Sequence, residues 1–287
     1  MAPSSDAQTR VYAVLGHPVE HSLSPAMQNA AFEAAGVNAA YVSLDVPPER
    51  LADVLKGLHA AGLSGLNLTA PHKEAAWPLV SGSTEEAARS RAVNTLRREK
   101  SGWFGHATDG LGFAEWIGSV GISLRGARVL LLGAGGAARS IVPVLASLGP
   151  ASLRVVSRDG RRAQAVAEGL GAIARSLETT SAALAEQAEP GARHPWNVMV
   201  RALSTTSVDA VEAAWWSRLE PGAPILDLNY GARAEKTRAR AAAGNHRFED
   251  GLGMLLHQGA LSYEFWIGEP APLDAMRAAL EGSIESR

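Results

Sequence analysis

Val129-Leu-Leu-Leu-Gly133-Ala-Gly135-Gly136-Ala-Ala138-Arg139 is the stretch whose reading decides the fold. A short apolar run passes straight into a glycine turn and then into alanine-rich helical sequence. In that strand–turn–helix setting the spacing G-x-G-x-x-G/A has a physical meaning. Gly133 permits a tight turn, Gly135 lets backbone approach a pyrophosphate, and Ala138 is small enough for close helix–strand packing. The amides from Gly136 onward would face phosphates with the positive end of the helix dipole behind them. The reading is a dinucleotide site on a Rossmann-type, doubly wound parallel sheet. A glycine turn that serves packing alone is the alternative.

The next strand, at 153–157, ends in Ser157-Arg158-Asp159-Gly-Arg161-Arg162. An acidic residue here binds a ribose 2′-hydroxyl and indicates NAD; arginines clamp a 2′-phosphate and indicate NADP. Arginines at a helix N-terminus oppose its dipole and call for an anion. Arg158, Arg161 and Arg162 against Asp159 favour NADP, with NAD the less favoured alternative.

Outward from this unit the βα rhythm continues. Strands are expected at 11–16, 41–46 and 63–68, paired strands at 91–97 and 102–106, and further strands at 198–202 and 224–229. Ser24-Pro25 reads as an N-cap followed by proline, opening a helix that Gly36 closes. Helices follow at 48–61, 73–79, 84–90 and 109–119. Later ones include Trp215-Trp216, end at Gly244, and span 252–267. The 189–195 segment reads as a loop. Two α/β domains flanking a ligand cleft are expected: 1–109 plus 251–287, and 110–250.

The 287 residues are enough for a sizeable core, and the net charge of −2 gives no bulk attraction to nucleic acid or anionic lipid. Without cysteine, thiolate catalysis and thiolate metal sites are excluded, and no metal site is expected. No stretch has the length of a membrane span, so a cytoplasmic location is expected; a small-molecule substrate and a monomer or homodimer are the separate expectations for its partners.

Polar residues collect where strands end. Ser22 and Ser24 sit beside a helix start, where hydroxyls and amides can hold a carboxylate or simply cap. Asn67-Leu-Thr69-Ala-Pro71-His-Lys73 follows a strand; Lys73 reads as a general acid/base or as a surface lysine. Asn94-Thr95 interrupts an apolar stretch, and Asp109 reads as an N-cap or a functional carboxylate.

Together these motifs resemble the shikimate dehydrogenase family. The resemblance runs through Ser22-x-Ser24-Pro25, Asn67-x-Thr69-x-Pro71-x-Lys73, Ala92-Val-Asn94-Thr95, Thr108-Asp109-Gly110, the glycine turn, Asp227-x-Asn229-Tyr230, and Gly251-x-Gly253-Met254-Leu255-x-x-Gln258. It implies NADP-linked interconversion of 3-dehydroshikimate and shikimate, in the biosynthesis of aromatic amino acids through chorismate. Lys73 and Asp109 would be the catalytic pair. Ser22 and Ser24 would hold the substrate carboxylate, with Tyr230 at that end, and Asn67, Thr69, Asn94 and Gln258 would line the ring. Gly133 to Ala137, Ser157, Arg158, Arg162, Gly251 and Met254 would hold the cofactor. A quinate/shikimate dehydrogenase using NAD, or a shikimate-binding relative with weak catalysis, are the other readings.

The chain departs from the family pattern at Ala107 and Gln28, where asparagine and histidine are usual, and at Ser157, where asparagine is usual. The largest departure is Val200-Arg201-Ala-Leu-Ser-Thr-Thr-Ser207, where the family places Asn-Ala-Thr beside the nicotinamide. Arg201 and Leu203 are poor substitutes there, which implies a less well oriented cofactor.

Overall fold

The computed structural model describes residues 6–170, 178–183, 196–203 and 210–285. The chain divides into two compact units, Met1–Gly112 with Leu255–Arg287, and Phe113–Met254. The 189–195 loop and residues 204–207 lie outside the described residues.

In chain order the first unit builds β1 (Arg10–Gly16), α1 (Ser24–Ala34), β2 (Ala39–Asp45), α2 (Leu51–Ala60), β3 (Gly65–Leu68), α3 (His72–Ala75), β4 (Gly82–Ser83), α4 (Glu85–Ser90), β5 (Thr95–Glu99) and β6 (Gly102–His106). α5 (Asp109–Ser119) leads into the second unit. There follow β7 (Arg128–Leu132), α6 (Gly136–Ser147), β8 (Ser152–Ser157), α7 (Gly160–Gly169), β9 (Glu178–Ala183), β10 (Val198–Arg201), α8 (Ala210–Trp216), β11 (Ile225–Asp227), α9 (Glu235–Ala243) and β12 (Phe248–Asp250). α10 (Leu252–Ile267) returns to the first unit, and α11 (Leu273–Glu285) follows.

The second unit's sheet runs β12-β11-β10-β7-β8-β9, and every adjacent pair is parallel. Strand order reverses between β7 and β10, the switch point of a doubly wound sheet. Both faces are buried, as a parallel sheet requires. Alternation sends Val129 and Leu131 into one core with Val155, Val200 and Leu226, and Leu130 and Leu132 into another with Val156, Met199 and Ile225. The continuous apolar run at 129–132 is therefore a strand sandwiched between two layers.

The first unit's sheet runs β2-β1-β3-β5-β6-β4 and is mixed. β1 pairs in parallel with β2 and β3; β5 is antiparallel to both β3 and β6. Ala13, Leu15, Leu66, Leu68, Val93 and Leu96 form its core on one face with Leu51, Leu55 and Trp103. The hairpin's first strand starts at Thr95, not near 91. Arg91 takes a left-handed conformation (φ 50°) that closes α4, which breaks the extended run. Among the described residues no helix is long and apolar enough to cross a membrane.

Candidate active site

The first unit gathers its polar residues at one edge of its sheet. β1 and β3 run parallel, β5 returns against β3, and β6 runs against β5. The carboxyl ends of β1, β3 and β6 therefore share an edge with the start of β5. Ser22 and Ser24 follow β1, Thr69 and Lys73 follow β3, Asn94 precedes β5, and Asp109 opens α5 just after β6.

Lys73 Nζ donates to Asp109 Oδ2 at 2.6 Å, with side chains 19% and 5% exposed. Asn94 fixes the carboxylate. Its Nδ2 donates to Asp109 Oδ1 at 3.0 Å and to Thr108 Oγ1 at 2.8 Å, while its Oδ1 accepts from the Thr108 amide at 2.7 Å. The same Nδ2 lies 3.2 Å from Gln258 Oε1. Two N–H hydrogens facing three acceptors leave one contact in surplus, and the longest, to Gln258, is the one a ligand hydroxyl can replace. Gly112 admits Gln258: a Cβ there would come within 2.5 Å of the Gln258 backbone nitrogen.

Behind this front lies a buried layer of amides and hydroxyls. The Tyr41 hydroxyl donates to Asn67 Oδ1 at 2.7 Å, and Asn67 Nδ2 lies 3.0 Å from Asn94 O, Thr95 Oγ1 and Ser262 Oγ. Burial pushes the Tyr41 phenol well above its ordinary pKa, so it remains a donor. Asn67 is buried with its amide engaged inside the protein, which places it in the wall of the site. Thr69 is half-buried, and its amide donates to Leu15 O at 2.9 Å. Ser262 and Tyr41 escaped the sequence reading. Ser262 lies one helical turn beyond Gln258 on α10, and that spacing was the available signal.

Ser24 is not the N-cap of α1. It is the first helical residue, Leu23 takes the cap position, and no side chain caps it there. Pro25 has no N–H to satisfy; the Ser24 amide is a first-turn donor without an intrahelical acceptor, and Ser22 Oγ accepts from it at 3.2 Å. Ala107 lies buried in the apolar core, and Asp109 Oδ1 takes its hydrogen bond from Asn94. Gln28 is fully buried and ties α1 to α10, donating to Gly259 O at 2.9 Å.

The second unit carries the glycine turn. Gly133 has φ +120°, and a Cβ on it would stand 2.5 Å from Ala202 O, so this position requires glycine. α6 starts at Gly136 with Gly135 as its cap residue and no capping side chain. A Cβ at Gly135 or Gly136 would meet nothing within 4 Å, and Ala137 is exposed. The helix start thus presents uncapped amides to open space, which fits a phosphate. Ala134 and Met254 are packed in the core, so Ala134 would contribute backbone only. Gly251 is held by close approach to Leu228 O, 2.3 Å from where a Cβ would lie. Ser157 ends β8, buried. Arg158 and Arg162 are exposed, and their side chains take no partner among the described residues. Asp159 Oδ1 accepts from the Arg161 amide at 3.0 Å and caps α7. Its carboxylate serves its own helix, with Arg161 Nε 3.8 Å from the same oxygen. Tyr230 follows β11 in this unit, half-buried.

Arg201 does not lie open beside a cofactor. Its side chain is fully buried and paired with Glu212 and Asp227. A guanidinium in a parallel-sheet core must be neutralised, and the strand beside it supplies the carboxylate.

The chain matches the families described as Shikimate dehydrogenase substrate binding domain over residues 14–96, Shikimate / quinate 5-dehydrogenase over 116–188, and Shikimate 5'-dehydrogenase C-terminal domain over 251–281. A shikimate dehydrogenase (NADP(+)) from Anaeromyxobacter dehalogenans (strain 2CP-C) is 42% identical over 286 residues, covering 98% of this chain and 99% of that one. The solved structure of shikimate 5-dehydrogenase from Thermus thermophilus, in complex with NADP(H) and shikimate, is 32% identical with a TM-score of 0.82, covering 96% of this chain and 100% of that one. A 5-ketofructose reductase from Gluconobacter sp. strain CHM43 superposes with a TM-score of 0.81 at 29% identity, covering 97% and 100%.

Proposed function

The chain belongs to the shikimate dehydrogenase family, and we propose that it interconverts 3-dehydroshikimate and shikimate with NADP(H). The observation that carries the reading is the Lys73–Asp109 pair at 2.6 Å, held by Asn94 at the sheet edge where Ser22, Ser24, Thr69 and Gln258 also emerge.

Bound NADP(H) would supply or accept the hydride. Reduction of a ketone builds negative charge on oxygen, and the Lys73 ammonium is the group that stabilises and protonates it. Asp109 holds that ammonium in place, and Asn94 holds Asp109, so the proton donor does not have to be ordered during the reaction. In the reverse direction Lys73, as the free amine, takes the hydroxyl proton. Ser22 and Ser24 anchor the carboxylate, and Thr69, Asn94 and Gln258 meet ring hydroxyls, with Gln258 exchanging its contact to Asn94 for the substrate. Asn67 supports this front from behind. The amides of Gly135, Gly136 and Ala137 hold the pyrophosphate, and Arg158 and Arg162 meet the 2′-phosphate.

The first unit is thus proposed as the substrate domain and the second as the NADP domain. We also place the enzyme in the cytoplasm, as a monomer or homodimer, which light scattering on the purified protein measures. The test of function is a spectrophotometric assay of shikimate and quinate, each crossed with NADP+ and NAD+. Shikimate with NADP+ is expected to give the highest kcat/KM; a higher value with quinate or NAD+ overturns the assignment.

A further inference from the structure

Arg201 ends β10, and the parallel register sets it directly beside Asp227 at the end of β11. Its Nη1 donates to Asp227 Oδ2 at 3.2 Å; Nε and Nη2 donate to the two oxygens of Glu212, on α8, at 2.8 and 3.3 Å. Trp216 Nε1 also donates to Glu212 Oε1 at 3.2 Å. All three charged side chains are at most 1% exposed. Burial would pull the guanidinium down, but its bonds to Glu212 and the charge of Asp227 outweigh that and hold it above its ordinary pKa. Burial pushes the Asp227 carboxyl up, and the Arg201 charge only partly offsets it.

The cluster does not end with charge. Asp227 Oδ1 accepts from both the backbone amide and Nδ2 of Asn229, at 3.0 and 2.8 Å, and that Nδ2 also donates to Leu203 O at 2.9 Å. Leu228 donates its amide to Arg201 O at 2.8 Å, and Gly251 donates to Asn229 O at 2.9 Å. Ala202, between Arg201 and Leu203, bonds to Leu132 O at 2.7 Å and places its own carbonyl against Gly133. The ion cluster is therefore bonded to the backbone at the carboxyl ends of β10 and β11 and borders the phosphate turn after β7.

In a doubly wound sheet the ligand lies outside the carboxyl ends of the strands. The half carrying the glycine turn and the 2′-phosphate residues, β7 and β8, takes the adenosine side, so β10 and β11 face the nicotinamide side. We propose that Arg201, Glu212 and Asp227 are positioning residues for the nicotinamide half of the cofactor, acting through Asn229 and the Leu203 carbonyl. This rests on the NADP reading above.

The test compares two ligands by equilibrium binding: NADPH, which carries the nicotinamide, and 2′,5′-ADP, which carries only the adenosine bisphosphate. The variant is R201M/E212Q, which removes the Arg201 and Glu212 charges together while keeping an acceptor for Trp216 and similar volume; Asp227 loses its cation and keeps Asn229 at Oδ1, so folding is checked first. The folded variant is expected to bind NADPH about tenfold more weakly and 2′,5′-ADP within about twofold of wild type. NADPH binding unchanged, or both ligands weakened alike, overturns the proposal and leaves the cluster a purely structural one. If the double variant does not fold, E212Q alone is measured in the same way, with a smaller selective loss expected and the same refuting outcomes. A wild type that binds neither ligand refutes the NADP reading itself and this inference with it; a wild type that binds both, with no selective loss in the variant, refutes the inference alone.

Discussion

Replacing Lys73 by methionine keeps the length of the side chain and removes the ammonium that lies 2.6 Å from Asp109 Oδ2. Two effects follow and can be sized separately. Loss of a positioned proton donor costs roughly a hundredfold to ten-thousandfold in rate, or about 2.7 to 5.4 kcal/mol of barrier. Asp109, 5% exposed, is left with Asn94 at Oδ1 and without its cation. Breaking a fully buried pair costs about 3–5 kcal/mol. Lys73 is 19% exposed, so water reaches the ammonium and the cost falls to about 1–3 kcal/mol. That is less than the roughly 5–15 kcal/mol of a typical domain, so the variant stays folded. The expected result is a melting temperature lowered by a few degrees, shikimate binding retained by calorimetry, and kcat for NADP+ reduction down at least about a hundredfold. A kcat within about threefold of wild type would refute the reasoning and make Lys73 an ion-pair partner without a chemical role.

Ser22→Ala and Ser24→Ala are each expected to weaken shikimate binding by about 1–3 kcal/mol, read as KM. Because Ser22 Oγ accepts from the Ser24 amide, the accompanying loss of thermal stability should fall on Ser22→Ala; equal KM in both variants and wild type would sink the carboxylate anchor. Arg158→Ala should raise KM for NADP+ and leave NAD+ kinetics little changed; equal effects on the two would point to a structural role for that turn. Burial holds His72 and His106 below the ordinary histidine pKa. The unfolded chain takes up protons from about pH 6.5 downward that the folded histidines refuse, so stability present above that pH is lost as pH falls through the folded values. Melting temperature should therefore drop between about pH 7.5 and about pH 5.5, and His106→Gln should shrink the drop; an unchanged slope would remove His106 from the account.

The second unit was legible because its signals are local. The run at 129–132 needs only period-two alternation to fill two cores, and Gly133 needs only its own backbone and Ala202 to be required. The Lys73–Asp109 contact was harder to read. The two are 36 residues apart, and taken singly they read as a surface lysine and an N-cap as readily as anything else; only the family resemblance set them together. One reading failed where a residue had two local uses. Ser24 looked like a cap because serine before proline usually is one, yet it is the first helical residue, its own amide is a first-turn donor, and Ser22 takes the acceptor role. The partners of Asn67 could not be read from the sequence: Tyr41, Thr95 and Ser262 come from three other elements and meet it only when the sheet closes.

Arg201 marks the limit of reading one position at a time. Against a pattern of small and hydroxyl residues an arginine reads as an obstruction in the site. That inference assumes the side chain points where the pattern residue would. A strand residue has two faces to choose from, and the choice depends on what the next strand and the covering helix offer. Here β11 offers Asp227 in register and α8 offers Glu212, so the inward face satisfies the guanidinium on both sides. Each partner is inconspicuous in the sequence: Asp227 belongs to a motif already quoted, and Glu212 is one acid in an apolar helix. Neither predicts the other without the parallel register that places residue 201 beside 227. A departure from a family pattern thus says where to look for compensation, and in a parallel sheet the place to look is the neighbouring strand at the same level.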